Sequence, residues 1–485
     1  MRIILLCFFS AQLFSCAHIP RTVWNNFPSV RDTEPEIYIP KPDQAWYFET
    51  EMREIPPAIT WVWQKKQLHN EAGETFLKKS GTSAFLMVKS DSIIMEYYGK
   101  NTFRNTRFNT HSVSKVLVSS LVAIAWSEAY IRSLDQPLTD YLPELSAQVS
   151  SDLRIVDLLQ MTSGLNFSEN YLNLFSSINR MYFGTDTQKE LKRIRQKHTP
   201  GNRFEYRSGN TWLLCRVLER ATGMSIAEYT QTRLWIPLGV PADAGWIRDK
   251  KSMQVKGFTG FNTSAIGLAR IGQLYANKGM WKGQVLIPET WMNSLLKPDT
   301  LRASPIFYQK GWFFDDYYQD ITAEGLFYQH LYVHPDSRTV IVRIGDGVNG
   351  KPQWRSAFRS LAGVNPKPLA LPFYPEAYKV LQGMYVFGES QTGDSSLFGR
   401  KVKVKVKPAG LKIITLKNNI IKDHKSFNKN IPKPLLLLPE ADYVFFDPVS
   451  GRRMVFDESG NHFTWKRKDN IWELKRINKK DTKDI

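Results

Sequence analysis

Strand-like patterns occur at two places far apart in this chain, and that separation constrains the fold more than any other feature of the sequence. Residues 83–89 and 93–98 are short runs rich in β-branched, aromatic and aliphatic side chains, joined by the turn-forming Ser90-Asp91-Ser92. Strand signals return only at residues 311–314, 326–333 and 339–344. The stretch between, to about Leu296, reads as helices and loops, with a further helix near residues 70–79 and a closing one at 353–361. Strands at both ends of a helical middle imply one sheet assembled from distant segments, with a helical lobe inserted.

After Pro366-Lys367-Pro368 the character changes. Residues 401–407 alternate Lys and Val strictly, which gives a strand with one lysine face and one valine face. Shorter strand patterns follow at 443–446, 453–456, 462–466 and 471–475, a separate antiparallel β unit. The expected organisation is therefore 46–368 as the main domain and 369–485 as a small β-rich domain, within the 485 residues available.

The N-terminus bears on where the protein works. Arg2 precedes an apolar run from Ile3 to Phe9, and Leu13-Phe14-Ser15-Cys16 follows. A charged start, an apolar centre and a small residue before a candidate cut make a signal peptide over residues 1–16. The tetrad resembles the bacterial lipoprotein box, which would lipidate Cys16; plain cleavage is the other reading. Residues 17–45, rich in proline and polar groups, then read as a tether. The expected location is the cell envelope, as a membrane-anchored lipoprotein facing the periplasm. In that setting the net charge of +19 points to anionic headgroups or wall polymer and away from nucleic acid. Removing Cys7 and lipidating Cys16 leaves Cys215 alone in an apolar run, as a buried inert thiol.

The chemistry concentrates where a long apolar helix begins. Ser112-Val113-Ser114-Lys115 is a Ser-x-x-Lys, a spacing that sets serine and lysine on one helical face. A serine at a helix N-terminus also has backbone N–H groups and the positive end of the dipole where an oxyanion would form. Ser294 with Lys297 and Ser426 with Lys429 match the spacing too, but one lies near a helix end before Pro298 and the other in a polar loop. A Gly-x-Ser-x-Gly elbow and a His-Glu-x-x-His helix are both missing from the sequence. His330 and His334 fall in a strand pattern without a third ligand, so no metal and no organic cofactor are expected.

Around this motif, residues 108–115, Leu134-Asp135-Gln136-Pro137-Leu138, Tyr141-Leu142-Pro143, residues 157–165 and residues 200–208 resemble the serine β-lactamase and penicillin-binding-protein superfamily. The spacing is similar to its class C β-lactamase, esterase and nylon-oligomer hydrolase branch, over residues 82–364. The resemblance implies an α/β sandwich of a mainly antiparallel sheet flanked by helices, plus an all-helical lobe. It also implies a C-terminal unit like the small β-barrel appended to some relatives.

In functional terms it implies a serine hydrolase that forms an acyl-enzyme on Ser112, acting on an ester or a small amide or peptide carbonyl. A β-lactamase or D-amino-acid-specific peptidase is an alternative, and so is a non-catalytic penicillin-binding sensor or scaffold. Tyr206-Arg207-Ser208 carries the family's second motif, which makes Tyr206 the acceptor of the Ser112 proton and Ser208 a substrate contact. A phenol with a pKa of about 10 needs nearby cations for that task, and Lys115 could supply one. The third motif is carried by Ala323-Glu324-Gly325-Leu326-Phe327-Tyr328-Gln329, with Tyr328 where the esterase-like pattern has glycine. Ala323 and Gly325 would line the substrate, and the N–H of Leu326 would join that of Ser112 as the oxyanion donors.

Overall fold

The computed structural model describes residues 35–52, 72–173, 175–296, 308–315, 318–345 and 354–364, together with the backbone of residues 59–62, 68–71 and eight strands between 383 and 477. The readings made for residues 1–34, including Cys16, and for Lys297, Ser426 and Lys429 lie outside the described residues. Two compact units are present: Met1–Glu54 with Leu77–Val348, and Ile55–Phe76 with Asn349–Ile485.

The first unit is built on an eight-stranded sheet. Its order is Tyr308–Gln309, Trp312–Asp315, Asp320–Gly325, Gln329–His334, Thr339–Gly345, Thr82–Lys89, Ser92–Tyr98, Glu49–Thr50. The two distant strand groups join where Thr339–Gly345 runs antiparallel to Thr82–Lys89, with Val340 opposite Val88 and Val342 opposite Leu86. Only the edge strand Glu49–Thr50 pairs in parallel. Thr339–Gly345 is buried along its whole length, so both faces of the sheet centre are covered and the strand reads as an apolar run. Helix Ala265–Ala276 lies across three central strands. Its approach depends on Gly272, because a Cβ there would run into the side chains of Val340 and Leu331.

Helix Ser114–Ser127 packs against Ser208–Thr222 in the helical lobe. Every residue from Ser114 to Ala125 is buried, as expected of a helix that is apolar all round. Ser208–Thr222 stops at Gly223, which takes φ +70° and returns its N–H to the Glu219 carbonyl at 3.0 Å.

Two local readings change. Residues 70–79 are not one helix: strand Leu68–Glu71 pairs with Ile59–Val62, and helix Gly73–Lys79 follows. Residues 326–333 are not one strand: Leu326–Tyr328 forms a 3₁₀ turn and the strand begins at Gln329. Phe327 and Tyr328 have the side chains of a strand and the backbone of a left-handed turn, at φ +61° and +63°. Preceding strand Asp320–Gly325 carries little β-branched character and gave no signal.

In the second unit, eight antiparallel strands from Gly383–Ser390 to Asn470–Ile477 close into a barrel, the first pairing with the last. The alternating strand Lys401–Lys407 sits between Gly383–Ser390 and Gly410–Thr415.

Candidate active site

Ser112 is reached through a tightly fixed entry. Strand Phe108–Asn109 pairs with Phe261–Thr263, and the Thr110 N–H donates to the Phe261 carbonyl at 3.0 Å. The chain then turns at His111, which adopts φ +49°, before the 3₁₀ turn His111–Val113 runs into helix Ser114–Ser127. Two bonds hold that turn: the His111 N–H donates to Asn109 Oδ1 at 2.8 Å, and His111 Nδ1 meets the Tyr182 hydroxyl at 3.0 Å. His111 and Val113 are buried while Ser112 between them keeps partial access to solvent.

One turn further on, Lys115 is buried and donates from Nζ to Ser112 Oγ at 3.0 Å and to the Phe258 carbonyl at 2.9 Å. Burial disfavours its charged form and lowers its pKa to about 8, against a smaller upward pull from Glu169. Tyr206 completes the group, its ring face 5.1 Å from Lys115 Nζ and its edge against Tyr308. Burial pushes the phenol well above its usual value; hydrogen bonding to Ser112 pulls it back, and Glu169 and Glu324 push it further up. Lys115 Nζ thus lies within reach of both Ser112 Oγ and the Tyr206 ring.

Sequence reasoning missed Glu169. Its carboxylate accepts from the Ser208 backbone N–H at 2.9 Å, from Ser208 Oγ at 2.6 Å and from the Tyr171 hydroxyl at 3.2 Å. Ser208 is buried, so its hydroxyl is committed to Glu169 rather than open to a substrate. A lone glutamate in a polar loop carries no local pattern; the one available signal was its pairing with the second motif across the fold. Arg203 and Arg207 both pair with Glu205, at 3.5 and 3.1 Å.

The third-motif segment lies against the nucleophile. A Cβ on Gly325 would sit 3.2 Å from the Ser112 nitrogen and 2.6 Å from the Thr110 carbonyl oxygen, so only glycine permits this approach. Leu326 follows directly, and the Phe327 ring packs on His111 at 5.2 Å. Ala323 is buried within its strand, opposite Leu331. Of the other sequence candidates, Ser294 donates to the Trp291 carbonyl at the end of helix Glu289–Leu295 and accepts from Lys310 Nζ at 2.7 Å. His334 Nδ1 meets Ser337 Oγ at 2.8 Å, within the turn after its strand. Cys215 is buried, its thiol pushed up to about 12 by burial. A cavity of about 330 Å³ lies among Lys41, Tyr47, Phe48, Arg104, Asp243 and Ile266, and Ser112, Lys115 and Tyr206 are not among its lining residues.

The beta-lactamase family model matches residues 74–362, more than half of the chain and all of the site described above. The chain belongs to the beta-lactamase family. It is a serine hydrolase of that family, and two of its relatives carry hydrolase names. A 6-aminohexanoate-dimer hydrolase of Paenarthrobacter ureafaciens is 26% identical over 295 residues, covering 56% of this chain and 74% of the relative. The teichoic acid D-alanine hydrolase of Staphylococcus aureus is 26% identical over 201 residues, 41% of this chain and 46% of the relative. Among solved structures, a provisionally named 6-aminohexanoate-dimer hydrolase from Bacillus anthracis superposes with a TM-score of 0.62 at 19% identity. It covers 70% of this chain and 92% of its own, a likeness of fold.

Proposed function

We propose that this beta-lactamase family member hydrolyses an ester or a small amide through an acyl-enzyme on Ser112. The observation that carries the reading is the 3.0 Å contact between Ser112 Oγ and a buried Lys115 Nζ whose pKa lies near 8. Ser112 Oγ attacks the carbonyl and its proton passes to neutral Lys115. Tyr206, protonated and bonded to Ser112, gives its proton to the leaving oxygen or nitrogen and regains one from Lys115. Water then attacks the acyl carbonyl, its proton follows the same route, and Ser112 is released. The backbone N–H groups of Ser112 and Leu326 would hold the oxyanion, a geometry supported by the close approach of Gly325 to the Ser112 nitrogen.

The names of two relatives support a hydrolytic reading, one a 6-aminohexanoate-dimer hydrolase and one a teichoic acid D-alanine hydrolase. Labelling with a fluorophosphonate probe, followed by peptide mapping, tests the assignment: Ser112 carries the label and Ser112→Ala abolishes it. Label that persists in the mutant, or maps to Ser294, overturns the reading. The N-terminal pattern supports export and lipidation at Cys16. A tagged fatty acid should then mark the wild type and miss Cys16→Ser; equal labelling of both removes that assignment.

A further inference from the structure

We infer that Arg343 is a positioning residue for the oxyanion site, acting through the turn that follows Leu326. The inference rests on the proposed role of the Leu326 N–H. Its starting point is conformational: Phe327 and Tyr328 are consecutive residues with side chains at φ +61° and +63°. A single such residue is uncommon and strained; two in succession persist only where something outside the turn holds them.

Arg343 supplies that hold. It sits in the buried strand Thr339–Gly345, fully enclosed, and its Nη1 donates to the Phe327 carbonyl at 3.1 Å and to the Tyr328 carbonyl at 2.9 Å. Its other nitrogens anchor the guanidinium from behind, Nη2 on the Ser80 carbonyl at 2.8 Å and Nε on Thr82 Oγ1 at 3.1 Å. Gly345 leaves room for this, since a Cβ there would collide with the guanidinium. Charge-assisted bonds from one rigid fork to two adjacent carbonyls fix the plane of each peptide. With those planes fixed, the backbone of Leu326, one residue earlier, has little freedom, and its N–H keeps one direction.

Arg343 is fully buried behind the turn and bonds to backbone carbonyls and Thr82, so its effect should appear in kcat and not in KM. The closing experiment compares Arg343→Met, Arg343→Lys and each of these combined with Tyr328→Gly, in the full chain, with a short-chain p-nitrophenyl ester. Arg343→Met is expected to lower kcat by roughly ten- to a hundredfold, less than the loss of a whole oxyanion donor, with KM within about twofold. Arg343→Lys, whose single ammonium lacks the separate anchors on Ser80 and Thr82, should fall between. Adding Tyr328→Gly should recover roughly tenfold or more of the lost kcat, because glycine holds a left-handed conformation without help.

Should Arg343→Met fail to unfold cooperatively, the lysine variant decides. Unchanged kcat in the folded Arg343 variants overturns the inference. So does a kcat loss that Tyr328→Gly leaves uncorrected, since that is the signature of a general packing defect. Failure of the underlying hydrolase reading looks different: Ser112→Ala would keep its fluorophosphonate label whatever Arg343 did.

Discussion

The two walls of the candidate site are built on opposite principles. On one, Ser112 and Lys115 lie a single turn apart at the start of a helix buried on all sides, and regular geometry sets their contact. On the other, Gly325 to Tyr328 pass from strand to 3₁₀ turn and back to strand with two left-handed residues, held by side chains from elsewhere. Helical pitch, carried from the 3₁₀ turn of Ser112 into the α-helix of Lys115, sets the spacing of nucleophile and base. Directing a backbone N–H at a developing charge needs an irregular backbone, and irregular backbone has to be held in place. His111 couples the walls: it enters the nucleophile turn at φ +49°, its ring packs on Phe327, and its Nδ1 is tied to Tyr182.

The sharpest break of this comparison is removal of the nucleophile itself. Ser112→Ala should reduce turnover by on the order of a thousandfold or more, while the oxyanion wall stays intact. Ser294 is the fair control, because it too has a lysine ammonium at hydrogen-bond distance, Lys310. It lies at the C-terminal end of its helix, where the dipole opposes an oxyanion, so Ser294→Ala should leave kcat unchanged. Equal losses in the two variants, measured on one ester, would mean that helix position does not distinguish them.

The same contrast explains what the sequence could and could not reveal. Ser112 and Lys115 were legible because helical periodicity, a three-residue spacing and a long apolar run all point the same way. The sheet was legible because the strand runs at 82–98 and 329–345 meet along one antiparallel seam at its centre. Leu326–Tyr328 reads as strand because Phe and Tyr favour strands, whereas tertiary contacts, among them the Arg343 bonds to two carbonyls, accompany the turn. Glu169 was invisible for a related reason: its partner Ser208 is 39 residues away, joined by a hydrogen bond that no periodicity encodes. The strict Lys-Val alternation announced one barrel strand, while Leu435–Ala441, containing Pro439, announced none.

A difference of intermediate size should separate substrate classes. The nucleophile wall serves any carbonyl, whereas the third-motif wall offers buried Ala323 and acidic Glu324 where a lactamase has a lysine for the drug's carboxylate. Arg203 and Arg207, which flank Tyr206, are paired with Glu205. A missing charged hydrogen bond of about 1.5–3 kcal/mol corresponds to roughly ten- to a hundredfold in kcat/KM, and a neutral ester does not incur it. Short-chain p-nitrophenyl esters should therefore exceed nitrocefin by about that factor. Nitrocefin turned over the faster of the two would return the β-lactamase alternative to first place.

The smallest effect tests whether the regular wall is as self-sufficient as its geometry suggests. Lys115 must be neutral to take the Ser112 proton, so kcat/KM should rise with pH through about 8 and be lost as pH falls below it. Burial alone would put that limb lower, because Glu169 raises the lysine's pKa against the larger effect of desolvation. Glu169→Gln keeps one oxygen able to accept from the Ser208 and Tyr171 hydroxyls, removes the charge and loses the acceptor of the Ser208 N–H. The limb should then move to lower pH, leaving more neutral Lys115 at any pH beneath it. If it moves by half a pH unit, kcat/KM at pH 7 gains about two- to threefold relative to the plateau, although the plateau itself can fall through disturbance of Ser208. Position and height of the limb are separate observables, so a purely structural role for Glu169 would lower the plateau and leave the midpoint in place. A midpoint that stays near 8, or rises, would mean that Glu169 does not tune the base and that the helix sets Lys115 unaided.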